Sequence, residues 1–204
     1  VEKNARARGP RGEYAKSERR REEIVDAATQ VFSESGLREG TLRDIAERVG
    51  MTHAGMRHHF PTKAALLAAV LRRRDEISLA KGAAAQPRGV EILREWVDAT
   101  RRHVAQPTLI DLEVTLVAEA TVPDHPAYEY FVEAYGRAEE LLQRAFGEIR
   151  ADGILAPGIT VTQAARVALA ATVGLQQLWV WDRDRDLVGE LEFAIGSLIT
   201  VPLE

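Results

Sequence analysis

The stretch TLRDIAERVGMTHAGMRHHFPTK, residues 41–63, encodes two short helices and the start of a third. Thr41 and Asp44 have capping-box spacing: the hydroxyl accepts from a free backbone N–H while the carboxylate reaches back to the cap. Leu42, Ile45, Ala46 and Val49 then recur at helical spacing, and Gly50, able to take positive φ, ends the first helix within about two turns. Thr52 caps a second helix whose Met56 and Phe60 share one face at i, i+4. Pro61 and Thr62 stop it and open the next.

Two short helices joined by a Gly-containing turn, the second offering donors from its first turns, form the arrangement that reads the DNA major groove. The run GMTHAGMRHHFPTK, residues 50–63, resembles the recognition-helix region of TetR-family transcriptional regulators: a small apolar stretch, a His pair, then Phe, Pro and Lys in order. Thr41, its helix, and the length and helix order of the remaining chain are also similar to the family. Arg57 departs from the pattern, since many members carry Tyr there. Its contact is then stronger in charge or aimed at another base.

Base contacts are expected from Thr52, His53 and Ala54 at the start of the reading helix, with Arg57 and His58 one turn on. An Ala methyl suits a thymine methyl, and an imidazole donates or accepts. By the resemblance, Arg43 also reaches a base, where a guanidinium reads guanine bidentately. The resemblance likewise implies phosphate contacts for Thr41, His59 and Lys63, helped by positive helix N-termini.

Net charge, −4 over 204 residues, argues weakly against a nucleic-acid partner, but its distribution points the other way. Residues 1–74 hold 16 Lys and Arg against 10 Asp and Glu; the remainder holds 11 against 21. A basic N-terminal part and an acidic remainder fit a polyanion reader carrying a separate second domain. Cysteine is absent, which excludes disulfides and thiolate metal sites and fits a cytoplasmic location. No apolar run approaches the ~18 residues of a membrane span, and no signal-peptide pattern opens the chain.

Residues 1–16 carry five cations among glycines and a proline and read as a basic mobile arm. Residues 17–80 read as the DNA-binding domain: Ser17 caps a support helix ending at Gly36, and the helix after Thr62 bridges onward to about Ala80. Residues 82–89 are linker-like. In residues 81–204, apolar stripes mark five further helices. One opens at Asp124 with Tyr128, Phe131, Tyr135 and Ala138 on its stripe, one opens at the Thr160/Gln163 capping box, and a last one covers residues 186–201. No strand alternation is visible. The fold class expected is all-α, about nine helices: an N-terminal three-helix helix-turn-helix domain plus a C-terminal helical ligand-binding and dimerisation domain.

A cavity between the C-terminal helices, apolar with a few polar anchors, is expected to be lined from Trp96, His103, Glu113, Leu116, Glu119, His125, Tyr128, Phe131 and Trp179. That lining favours an apolar or aromatic effector with one polar handle. The resemblance implies a homodimer joined through the last two helices, and Leu178, Leu191, Leu198 and Ile199 supply apolar surface there. His53, His58 and His59 lack the i, i+4 spacing that puts two imidazoles on one helix face, so no metal is expected, nor any cofactor. Enzyme signatures such as G-x-S-x-G or a P-loop are missing. The sequence therefore reads as a ligand-responsive repressor of double-stranded operator DNA with a near-palindromic site. The alternative is a helical architectural or interaction protein binding DNA without sequence preference.

Overall fold

A computed structural model describes residues 10–83 and 86–203, and these divide into two compact units between residues 70 and 71. The described residues are helical throughout apart from turns and one isolated antiparallel bridge, Leu155 to Ile199.

In the first unit, α1 spans Pro10–Glu39, α2 spans Leu42–Arg48 and α3 spans His53–His59, and α4, Lys63–Ala83, begins there. The helix α1 starts seven residues before Ser17, because Pro is well tolerated in a first turn, where its missing N–H is not needed. Residues 10–16 of the expected arm are thus helical, and residues 1–9 lie outside the described residues. Gly36 sits inside α1: a helix-interior glycine costs only about 1 kcal/mol and need not end a helix. The Thr41/Asp44 capping box is formed in both directions, and Gly50 adopts φ +63° in the turn. The buried centre is Ile24, Ala28 and Phe32 from α1, Ile45 from α2, Met56 from α3, with Phe60 and Leu66 closing it.

Two arginines of α1 hold the short helices. Arg20 Nη2 donates to the Val49 carbonyl at 2.6 Å, and Arg21 Nη1 donates to the His59 carbonyl at 2.6 Å. Each satisfies a carbonyl that the end of a helix leaves without an intrahelical partner. The Arg21 guanidinium also lies 4.4 Å from the centre of the Phe60 ring. Helices of seven residues are too short to persist alone, so α1 is the scaffold that orders the reading pair.

The second unit holds the rest of α4 with α5, Val90–Val104; α6, Pro107–Glu119; α7, Tyr128–Ala151; α8, Val161–Trp181; and α9, Leu187–Gly196. Its main core packs Leu93 and Val97 of α5, Leu142, Phe146 and Ile149 of α7, and Leu191 and Ile195 of α9 around Ala164, Ala165 and Ala168 of α8. Those alanines are fully buried, and small residues at such a contact let helix axes approach closely. A second cluster joins Ile110 and Val114 to Trp179 and Leu187.

The helix α7 begins at Tyr128, not Asp124. Pro126 disfavours helical backbone at His125, so residues 124–127 form turns. The residues α7 buries are Tyr130, Phe131, Leu142, Ala145, Phe146 and Ile149. The last helix stops at Gly196, and Leu198 and Ile199 follow it in an extended return: Ala156 N–H donates to Leu198 O at 2.9 Å, and Thr200 N–H to Ile154 O at 2.9 Å. Leu198 and Ile199 are each 7% exposed and Leu191 is fully buried, all within the core of a single protomer. They are core residues, not interface contacts. Leu178, in contrast, is 47% exposed.

Candidate nucleic-acid interface and helical-domain cavity

On the first unit, Arg43, Thr52, His53, Ala54, Arg57 and His58 are all exposed. Thr52 accepts from Gly55 N–H at 3.1 Å, which starts α3 there and sets His53 and Ala54 in its open first turn. Met56 and Phe60 face inward, so Arg57 and His58 are directed outward by helical spacing. Arg57 makes no ion pair among the described residues. Arg43 pairs with Glu47 at 3.1 Å, but both side chains are largely exposed, and an exposed i, i+4 pair of this kind is worth under about 0.5 kcal/mol. It yields readily to a stronger partner.

The three expected phosphate contacts differ in environment. Thr41 is exposed, and its hydroxyl is engaged with Asp44 in the capping box. His59 is half-buried, and burial, reinforced by His58, Arg21 and Arg20, draws its imidazole pKa below the usual value. Lys63 is half-buried with its ammonium 5.5 Å from the Phe32 ring centre, and burial draws its pKa down.

Within the second unit lies a cavity of about 370 Å³, bounded by α4, α5, α6, α7 and α8. Its polar end is an ion cluster. Arg74 Nη1 donates to Glu113 at 2.7 Å, Arg74 Nη2 donates to Asp75 Oδ1 at 3.0 Å, and Tyr130 Oη donates to Asp75 Oδ2 at 2.7 Å. These carboxylates raise the guanidinium pKa against the opposing effect of burial. Burial, together with the same carboxylates, keeps the phenols of Tyr130 and Tyr135 protonated. His103, with Nε2 3.5 Å from Ser78 Oγ, is pushed down to about 3 by burial and by Arg74 and Arg102. Trp96 Nε1 donates to Thr172 Oγ1 at 3.0 Å, tying α5 to α8 across the cavity wall.

Of the expected lining, Trp96, His103 and Glu113 face this cavity. The other six do not. Leu116 is sealed in the packing, and Phe131 is buried with its ring between Tyr130 and Tyr135. Trp179 belongs to the second apolar cluster, where Arg183 covers its ring at 4.0 Å. Glu119 is exposed at the end of α6, and His125 and Tyr128 lie at the entry to α7. Sequence reasoning missed Arg74, Asp75, Tyr130, Tyr135, Thr172 and Gln176. Arg74 lies in a run of three arginines that local spacing does not tell apart, and Tyr130 falls beside the stripe of Tyr128, Phe131 and Tyr135.

An exposed reading helix braced by α1, and a helical unit enclosing a cavity, define a helix-turn-helix protein with a separate internal chamber. Residues 24–70 match the family described as "Bacterial regulatory proteins, tetR family". The HTH-type transcriptional repressor KstR2 of Rhodococcus jostii (strain RHA1) is 42% identical over 53 residues, which are 26% of this chain and 26% of that protein. The aligned part thus spans about a quarter of the curated relative. The fold is shared over most of the chain with Thermus thermophilus FadR, a TetR-family transcriptional repressor in complex with lauroyl-CoA. The TM-score is 0.61 and the identity 24%, with 87% of this chain and 92% of that chain covered. A Saccharomonospora viridis protein in complex with choline gives a TM-score of 0.69 at 20% identity, covering 89% and 98%. Residues 24–70 are thus similar to the DNA-binding part of tetR-family regulators, and the chain as a whole shares the fold of these structures.

Proposed function

We propose that the chain is a ligand-responsive transcriptional repressor that binds near-palindromic operator DNA as a homodimer and releases it when a small molecule occupies the cavity. The observation that carries the DNA-binding part is the row of exposed side chains on α2 and α3, with Thr52, His53 and Ala54 at the open N-terminal turn of α3. That is where a recognition helix meets base edges. Such a role places the protein in the cytoplasm with the chromosome; among the described residues, no helix is long and apolar enough to cross a membrane.

Dimerisation is supported by apolar side chains that the protomer leaves open on its last two helices. Trp181 is 83% exposed, Phe193 80%, and Leu178 and Val167 each 47%. Large exposed aromatics of this kind mark protein–protein contact surfaces. A two-fold dimer reads two half-sites about one DNA turn, ~34 Å, apart.

For release, α4 is the connecting element. It begins at Lys63, and its Arg74, Asp75 and Ser78 line the cavity. A ligand that displaces those three residues acts on the helix that leads to the reading head. A coupling of about 1–3 kcal/mol, typical of allostery, lowers DNA affinity about 5- to 150-fold.

The test is selection from a randomised duplex library. Enrichment of one two-fold symmetric site, preferred at least about a thousandfold over random duplex, is the expected result. Equal affinity for all duplexes would instead favour an architectural DNA binder.

A further inference from the structure

We propose that the cavity takes a small organic cation, a protonated amine carried on an aromatic or alicyclic body. This rests on the reading of the cavity as an effector site and names the chemistry of what fills it. The bound molecules of the two structural neighbours, lauroyl-CoA and choline, differ in charge and size, so likeness of fold does not supply the class.

The charge balance of the polar end is the first observation. Only 10% of the Arg74 side chain is exposed, 13% of Glu113 and 22% of Asp75, so two carboxylates face one guanidinium away from bulk water. Arg74 is committed to both, and Tyr130 completes Asp75. Glu113 accepts through Oε2 alone; its Oε1 has no donor among the described residues. Over the whole wall Arg74, Arg137 and Arg144 match Asp75, Glu95 and Glu113 in number, so the negative excess is local to the Arg74 end. Glu95 is paired with Arg102, Arg137 with Glu133, and Arg144 is exposed. His103 adds no positive charge, being neutral far below pH 7.

The second observation is independent. Gln176 on α8 lines the cavity, is only 5% exposed, and its amide makes no hydrogen bond among the described residues. Its polar atoms are therefore open to the cavity, where they can bond a ligand. Its carbonyl oxygen and Glu113 Oε1 are acceptors, which an ammonium N–H satisfies. The rings of Trp96, Tyr130 and Tyr135 complete the wall, and aromatic faces attract cations while covering an apolar body. An anion would find Arg74 already saturated and two carboxylates beside it. A neutral molecule would leave the negative excess uncompensated.

Three matched probes test this by isothermal titration calorimetry on the full chain at pH 7: phenylbutylamine, phenylbutanol and phenylbutyrate. The amine should bind about tenfold or more tightly than the alcohol, and the carboxylate most weakly. Glu113→Gln should bring amine and alcohol affinities together, while Gln176→Leu should weaken both by about tenfold, with ligand-free melting curves checking that each variant folds. Binding of the alcohol or carboxylate as tightly as the amine overturns the cation assignment and leaves an effector cavity in place. Absence of heat with all three at millimolar concentration overturns the effector reading together with it.

Discussion

Arg74 and Glu113 are 39 residues apart in sequence, yet Arg74 Nη1 donates to Glu113 Oε2 at 2.7 Å, with 10% and 13% of their side chains exposed. A pair held this far from water is costly to form and more costly to break. Arg74→Met leaves Glu113 and Asp75 facing each other without a counter-charge and should destabilise the fold by about 3–5 kcal/mol. Adding Glu113→Leu should restore much of that loss, because the second change removes the stranded charge. Urea denaturation of the two single variants and the double variant checks this; strictly additive losses would mean the pair is not coupled.

His103 fixes a pH dependence. Its folded pKa, about 3, lies below its ordinary 6.5, so the unfolded chain binds a proton that the folded chain refuses. Stability is therefore full above about pH 6.5 and falls as pH drops toward the folded value, by up to ~1.4 kcal/mol per pH unit. His103→Gln should flatten the curve of denaturation midpoint against pH between about 6.5 and 4.5. An unchanged slope would show that the imidazole is protonated without penalty in the folded state.

The two kinds of DNA contact should separate by their response to sequence and salt. Arg57 is exposed on the reading helix, whereas Lys63 opens the next helix beside Phe32. Arg57→Ala should cost about 1–3 kcal/mol and relax preference at one operator position. Lys63→Met, which keeps the stem on Phe32, should weaken all duplexes alike and reduce the salt slope by about one. Fluorescence anisotropy on operator variants at several salt concentrations distinguishes the two outcomes.

For the proposed dimer, the exposed aromatics are the residues to change. Trp181→Glu with Phe193→Glu should give a folded monomer in sedimentation velocity, since both side chains are at least 80% exposed in the protomer. Leu191→Asp should unfold the chain instead, because that side chain is fully buried and an uncompensated charge there costs several kcal/mol. A doubly substituted protein that stays dimeric places the interface elsewhere.

Local chemistry was legible in the sequence. The capping boxes at Thr41/Asp44 and Thr160/Gln163 and the positive φ of Gly50 involve residues at most a few positions apart, so short-range rules found them. The helical class and the outward face of α3 follow from periodicity alone. Tertiary packing decided the rest. Periodicity marks Leu191, Leu198 and Ile199 as apolar but cannot say which surface covers them; the extended return after Gly196 buries the last two in their own protomer. On α7, Tyr130 and Tyr135 line the cavity while the Phe131 ring packs against both, a division set by the neighbouring helices and not by helical spacing. The cavity itself brings together α4, α5, α6, α7 and α8, and its charge pairing of Arg74 with Glu113 and its unpartnered Gln176 are long-range relationships that no local spacing encodes.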